Sequence, residues 1–558
     1  MNAARVIVVL AFVLILGVPL AFRPAAAPGS TSADARLVII TPHNEQIRYE
    51  FGRAFSAWYA ARHGGKTVAI DWRQPGGTSD IVKVLRATYS RAIADGRIVP
   101  SDVPDAPPRT PMLAPGREPM PYDLMFGGGS YDHGVEVHSN GASATPAGAS
   151  EPVSLSMSVP AGLTPEELNE VFAIRDGSGA LVAIGDAANV VSDDPRPENL
   201  SASEHRVYDP DQFWIGTALS GFGIVYNRDA LRALGVDEPR DWHDITDPRL
   251  SGQLAAADPR MSGSVTTTYE SILNNFGWDE GWKLLRRISA NARYFSGSSA
   301  RPPVDVSQGE AAVGLAIDFY GRYQSQAVRR EGESPEESRV GYVDPAGAVY
   351  IDADPISILA GGPSPELARE FLRFVLSEEG QALWNFKVRN GESSATLGPE
   401  KYELRRMPVR RSLYADYPSL FVDRADPYAL NAPTPTQGWR SAITPLMTAF
   451  ALDIHSEQQR AWDAMNKARE LAPNDPRIGD MEALFDAFPE HEFRNDLEKF
   501  GLRSGDRLPL NAQNYAAIKA DWRASQARGD GEEVRVRYTA FFRSNYREIV
   551  RIASEMSR

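Results

Sequence analysis

Val343 to Trp384 reads V-D-P-A-G-A-V-Y-I-D-A-D-P-I-S-I-L-A-G-G-P-S-P-E-L-A-R-E-F-L-R-F-V-L-S-E-E-G-Q-A-L-W. An extended, alternating segment leads into a short apolar strand, Ile356 to Ala360, and Gly361-Gly362-Pro363 then turns the chain. Ser364 is placed to cap a helix, with Pro365 in the first turn where its missing N–H does no harm. Leu367, Phe371, Phe374 and Val375 recur at helical spacing, which buries one face of that helix.

The same alternation of strand and helix runs through the rest of the first 400 residues. Arg36 to Thr41 (R-L-V-I-I-T) predicts a strand, and Asn44 starts a helix whose apolar face is Ile47, Phe51, Ala54, Phe55 and Trp58. His63-Gly64-Gly65 ends that helix, and Lys66 to Trp72 gives a second strand. A helical crossover of this length implies parallel strands in an α/β sheet. Another helix carries Ile81, Val84, Leu85, Thr88 and Tyr89 inward, and Tyr122 to Phe126 is a strand that enters Gly127-Gly128-Gly129-Ser130. The proline-rich stretch 98–121 reads as an irregular insertion. So does 133–207, apart from a helix signal at Thr164 to Phe172. Gln212 to Asn227, Gln253 to Ala257 and the apolar run Ala311 to Ile317 are strands, with a helix from Thr266 onward.

The character changes after about Gly398. Ser441 to Ala472, Asp480 to Phe488 and Tyr515 to Ser557 read as helices. Ala461 to Pro476 resembles the second helix of a tetratricopeptide repeat, but one copy cannot stack, so the region reads as an ordinary helical extension.

Bulk properties bound the function. A chain of 558 residues is too long for one core and implies two or three domains. The net charge of −14, with no basic cluster, argues against nucleic acid. Cysteine is absent, which removes disulfides, thiolate metal sites and a lipidated N-terminal cysteine. Arg5, the apolar run Val6 to Phe22 and the small-residue stretch that follows, within residues 1–35, read as a signal peptide or a retained membrane anchor with linker. Either way the rest is exported, and the membrane is met only through this segment. Enzyme motifs are missing: no G-x-S-x-G elbow, H-E-x-x-H or P-loop lysine.

Four small-residue loops precede helices or end strands: Gly76-Gly77-Thr78-Ser79, Gly127 to Ser130, Ser262-Gly263-Ser264 and Ser296 to Ser299. Glycine admits close backbone approach, and helix N-termini offer free N–H donors with partial positive charge. Together they suit an anion or an oxygen-rich solute. Equally, Ser79 and Ser264 serve as plain N-caps and the glycines as plain turns. Candidate contacts are Gly77, Thr78, Ser79, Gly128, Gly129, Ser262, Ser264, Ser298, Asp318, Tyr320 and Arg322. Arg322 is either a guanidinium fork for phosphate or carboxylate or a solvated surface residue.

The closing block quoted first, with Pro42-His43-Asn44-Glu45, Gly76 to Ile81, Phe126 to Gly129, Gly221 to Asn227, Asp258 to Ser264 with Tyr269, and Gln308 to Tyr320, resembles bacterial extracellular solute-binding proteins of ABC importers, in the branch that contains ferric-ion binders. The similarity covers roughly 36–130 and 208–395, in order. It implies a type II periplasmic-binding-protein-like fold with two α/β lobes joined by hinge strands. Lobe 1 would be 36–220 and 345–397, lobe 2 would be 221–344, and an α-helical C-terminal extension would fill 398–558. A ligand would sit at strand ends and helix starts between the lobes.

The resemblance further implies a non-enzymatic, periplasmic or otherwise extracytoplasmic protein that hands a small solute to an ABC importer permease. That solute is Fe(III), carried as transported ligand, or a phosphorylated or anionic molecule. Ferric binders of this group use a histidine after the first strand, a carboxylate and paired tyrosines. His43, Glu45, Tyr320 and Tyr323 stand for these here, the two tyrosines separated by Gly321-Arg322 instead of adjacent. That spacing shares a face on a helix and not on a strand. Packing for Tyr323 and helix capping for His43 are the structural alternatives. A different class of function, an envelope sensor or scaffold whose C-terminal helices bind a partner protein, fits the same chain.

Overall fold

A computed structural model describes residues 33–172, 174–175, 181–182, 207–334, 337–345, 348–389, 396–425, 427 and 437–556. The N-terminal segment read as a signal or anchor lies almost wholly outside the described residues, as does most of 173–206.

Lobe 1 opens with β1 (Ala35–Ile40), α1 (Glu45–Arg62) and β2 (Val68–Arg73). Asn44 caps α1 by accepting the Ile47 N–H at 3.0 Å, and Ile47, Phe51, Phe55 and Tyr59 form its buried stripe. Next come α2 (Thr78–Ala94) and β3 (Leu124–Phe126). The insertion expected to be irregular at 98–121 holds a short antiparallel hairpin, Ile98–Pro100 against Pro111–Leu113.

The chain then enters β4 (Ile215–Asn227), a 13-residue strand with every residue buried. Its first half pairs with the strand Ile351–Leu359 of lobe 1, and from Phe222 onward it pairs with the strands Val313–Ile317 and Val340–Val343 of lobe 2. One strand therefore runs through both lobes.

Lobe 2 comprises β5 (Leu254–Ala257), α3 (Gly263–Asn291), β6 (Ala292–Ser296), α4 (Arg301–Gln308), β7 (Val313–Ile317), α5 (Asp318–Ala327) and β8 (Val340–Val343). The chain recrosses to lobe 1 as β9 (Ile351–Leu359), α6 (Pro365–Leu376) and α7 (Glu378–Asn385). Ser364 stands at the N-cap of α6, but its hydroxyl donates to the Arg36 carbonyl at 2.9 Å instead of capping, which ties the helix to β1.

The two lobes repeat one topology. Lobe 1 has the order β2-β1-β3-β9-β4 and lobe 2 the order β6-β5-β7-β4-β8; in each, three parallel strands meet an antiparallel return strand. This is the type II two-lobed α/β fold, with β4 running through both lobes and β9 carrying the chain back into lobe 1.

Past 398 the chain does not leave lobe 1 at once. A strap carrying β10 (Met407–Pro408) adds to the lobe 1 half of β4, and Leu404, Met407 and Val409 pack in the lobe 1 core. The helical region proper begins with α8 (Arg440–Met447), followed by α9 (His455–Leu471), α10 (Arg477–Asp486), α11 (Tyr515–Arg528) and α12 (Gly531–Met556). The single helix read at 515–557 is two, broken at Gly529, whose φ of 86° ends the first in a left-handed turn. These helices share one core with lobe 2, where Trp278 and Trp282 of α3 meet Phe450, Phe488 and Tyr515. Buried apolar contact on this scale makes the helical region and lobe 2 one body. Among the described residues no helix is long and apolar enough to cross a membrane.

Candidate functional site

In open parallel sheets the carboxyl ends of the strands and the starts of the following helices face the ligand. Here the two lobes turn those ends toward each other and enclose a cavity of about 160 Å³. Lobe 1 supplies Pro42, His43 and Ile47, Gly77-Thr78 and Gly128; lobe 2 supplies Met261 to Ser264, Gly297 to Ser299, Phe319 and Tyr320. A smaller recess of about 20 Å³ continues inward past Gly129, Ser220 and Asp352. The lobes touch: a Cβ on Gly77 would lie 3.4 Å from the Met261 carbonyl oxygen, and one on Gly263 would lie 3.0 Å from Asp132 Oδ2.

Two helices begin at this cavity, one from each lobe. Gly77 precedes α2 as its cap residue, and Ser262 caps α3 by accepting the Val265 N–H at 3.4 Å. The caps are therefore Gly77 and Ser262, not Ser79 and Ser264, because each helix starts earlier than the residue spacing suggested. The N–H groups of the first turn have no intrahelical acceptor and carry the positive end of the helix dipole.

The floor holds three charged or titratable groups. Asp354 of β9 is buried; it accepts the Gly128 N–H at 3.1 Å and forms a close ion pair with Arg406 Nη1. His43 Nε2 lies 3.2 Å from Asp354 Oδ2 and 3.1 Å from Arg406 Nη1. Arg406 also donates to Ser220 Oγ at 2.7 Å and lies over the Phe319 ring at 4.4 Å. Burial pushes the His43 imidazole below its ordinary pKa, against the pull of Asp354, so it stays neutral at pH 7. Burial would raise Asp354, but Arg406 and then His43 hold it below the usual carboxylate range. Burial raises the Tyr320 phenol.

Of the residues singled out in the sequence, Gly77, Thr78, Gly128, Ser262, Ser264, Ser298, Tyr320 and His43 line the cavity, and Gly129 lines the recess. Ser79 faces a neighbouring groove behind the cleft. Asp318 is buried outside the cavity, where Arg322 reaches it at 3.4 Å and Asp344 at 2.7 Å, so the Arg322 guanidinium is engaged by two carboxylates of its own lobe. Glu45 is exposed on α1 and Tyr323 is 39% exposed on α5; neither lines the cavity. Asn44, not His43, caps α1.

Arg406, Asp354 and Asp352 were missed. The alternating acids Asp352 and Asp354 on a wholly buried strand were a visible signal, since buried carboxylates need partners. Nothing near Arg406 in the chain marks it.

Asp352 and Asp132 add a pH dependence at the seam between the lobes. Burial raises Asp352 to about 7, partly offset by the Ser130 hydroxyl at 2.6 Å and by Arg440. Burial raises Asp132 to about 6, with Arg440 pulling it down. Both exceed the ordinary value of 3.8, so the folded chain keeps protons that the unfolded chain releases. Stability from these groups is therefore lost as pH rises from about 4 to about 7, at up to about 1.4 kcal/mol per pH unit for each. Denaturation midpoints at pH 5 and pH 7.5 check this: Asp352→Asn is expected to shrink the fall, and an unchanged fall would refute the assignment.

The fold is thus a two-lobed α/β molecule with its cavity at the facing strand ends. Residues 187–394 match the family model described as bacterial extracellular solute-binding protein. Among curated proteins, the chain is 30% identical over 170 residues to an uncharacterized protein of Haemophilus influenzae, covering 30% of this chain and 46% of that one. It is 29% identical over 169 residues to the phosphoglycerate transport regulatory protein PgtC of Salmonella typhimurium, covering 30% and 40%. The chain thus spans less than half the length of the curated relatives it matches. Similar solved structures include the periplasmic binding protein AfuA from Actinobacillus pleuropneumoniae with fructose-6-phosphate bound (17% identity, 62% of this chain and 81% of that one, TM-score 0.40). Iron-bound HitA from Pseudomonas aeruginosa is another (16%, 72% and 92%, TM-score 0.43). Overlaps this loose carry no information on the solute.

Proposed function

We propose that this protein captures a small anionic solute, of the phosphorylated or carboxylated kind, between its lobes outside the cytoplasm and delivers it to the permease of an ABC importer. The observation that carries the reading is the pair of helix N-termini, α2 from lobe 1 and α3 from lobe 2, opening onto one cavity above Arg406. Free amide N–H groups and the positive ends of two helix dipoles favour an anion, and the hydroxyls of Thr78 and Ser264 supply neutral donors. A solute held by both lobes stabilises the closed state by its differential affinity, which is hinge closure.

Fe(III) is the second reading, supported by His43 and Tyr320 on the same cavity. It is the weaker one, because the Arg406 guanidinium sits against His43 and burial opposes a Tyr320 phenolate. A regulatory reading, with the solute sensed instead of passed on, is supported by the likeness to a protein named as a regulator of phosphoglycerate transport, PgtC.

Titration calorimetry with phosphorylated sugars, phosphonates, di- and tricarboxylates, a neutral sugar and ferric citrate tests these. An anion is expected to bind and the neutral sugar to fail. Thr78→Val is expected to weaken the anion by about tenfold, the loss of one hydrogen bond to a charged group. Binding of ferric citrate alone, with a colour lost in Tyr320→Phe, would replace the anion by iron.

A further inference from the structure

The helical region rides on lobe 2. Besides the common core, Arg287 of α3 makes a two-pronged pair with Asp486 at 3.0 Å on each arm, and Trp462 donates to Asn291 at 2.9 Å. Its first helix, α8, reaches further. Arg440, at the start of α8, is buried and donates to three groups of α3: Glu270 Oε2 at 2.7 Å, Thr267 Oγ1 at 3.0 Å and the Gly263 carbonyl at 3.2 Å.

The same guanidinium lies over the ring of Tyr131, 4.4 Å from its centre, and Tyr131 belongs to lobe 1, just past β3. Asp132, next in the chain, meets the start of α3 where a Cβ on Gly263 would stand, so this is the line along which the lobes touch. Arg440 is thus fixed to lobe 2 on one side and faces an aromatic ring of lobe 1 on the other. A hinge opening that separates Gly77 from Met261 also draws Tyr131 off Arg440.

We propose that the helical region is a clasp for the closed cleft: Arg440, anchored on lobe 2, grips Tyr131 of lobe 1 when the lobes shut, so this region sets the open–closed balance and, through it, solute affinity. A guanidinium desolvated against an aromatic face favours the shut form by about tenfold or more in the closed-to-open ratio. Apparent affinity falls in proportion to the binding-competent fraction, so a loosened clasp weakens capture by up to the same factor. This rests on the two-lobed solute-binding reading, yet its test needs no solute.

The chain has no cysteine, so cysteines introduced at the exposed Gln74 of lobe 1, three residues before the cavity-lining Gly77, and the exposed Arg301 of lobe 2, two residues after the cavity-lining Ser299, take spin labels specifically. Interlobe distances are then measured in the solute-free, full-length protein. Wild type is expected to populate the short distance. Tyr131→Leu is expected to shift the ratio toward the long distance by about tenfold, Arg440→Met by at least as much because it also loses the attraction to Asp132 and Asp352 of lobe 1, and the two together no further than Arg440→Met alone. Tyr131→Phe keeps the ring and is expected to stay near wild type. Tyr131→Gln, a polar replacement at this half-buried position, serves if the Leu variant does not fold. A Tyr131→Leu distribution that superimposes on wild type overturns the clasp, as does a Phe variant that opens as far as Leu, or a wild type found only at the long distance. Failure of the anion titration would leave these distances untouched, so the two readings fail separately.

Discussion

Arg406→Met is expected to destabilise the protein by about 3–5 kcal/mol and to abolish anion capture by what remains folded. The reason is Asp354. That carboxylate is buried, and Arg406 is its ion-pair partner. Removing the guanidinium leaves a buried charge that keeps His43 and the Gly128 N–H but has lost its ion-pair partner. The double substitution Arg406→Met with Asp354→Asn is expected to recover more than half of the lost stability, because both charges go, but none of the binding.

Arg322→Met separates the two effects. It strands Asp318 and Asp344, so it should destabilise comparably, yet it is expected to leave anion affinity intact because Arg322 does not line the cavity. Denaturant unfolding gives the first quantity and calorimetry the second. Unchanged anion affinity in folded Arg406→Met would remove Arg406 from the site.

Gly127→Ala is expected to cost about 2–6 kcal/mol and to dislodge His43. Gly127 has φ of 95°, a left-handed conformation that side chains strain to adopt, and a Cβ there would overlap the His43 ring at Nε2. The conformational part is about 1–3 kcal/mol and the overpacking part about 1–3 kcal/mol. His43 cannot yield easily, since the Phe126 ring packs edge-on at 4.5 Å and Asp354 and Arg406 hold Nε2. Gly64→Ala is the control: its φ of 65° is also left-handed, but nothing lies within 4 Å of the added carbon. Only the conformational penalty remains, about 1 kcal/mol. Equal unfolding midpoints for the two variants would show that the loop relaxes around the methyl group.

Local signals were readable wherever one physical rule acted over a short stretch. The stripe Ile47, Phe51, Phe55 on α1, the apolar run that became β7 and the glycine loop after β3 each declared themselves, because helix period, strand burial and positive φ are properties of a few neighbouring residues. Small-residue loops pointed to the cleft for the same reason. The reading failed where partners are far apart in the chain. His43 and Arg406 are separated by 363 positions, and Arg406 lies in the strap beyond 398 that the change in composition had assigned to the helical extension. Arg322 looked like the better anion fork because its neighbours in sequence were right, but folding delivers it to Asp318 and Asp344.

The order of residues alone determined the parts: parallel α/β units in two groups, a helical tail, and glycine–serine turns at helix starts. Those follow from interactions within a few residues, where backbone preference and periodic burial suffice. Tertiary structure decided which loops share a cavity, which arginine reaches it, and that the tail is welded to lobe 2 and leans on Tyr131 of lobe 1. Such choices depend on which distant side chains can neutralise a buried charge or fill a gap, and only the assembled core brings those candidates within a few ångströms of each other.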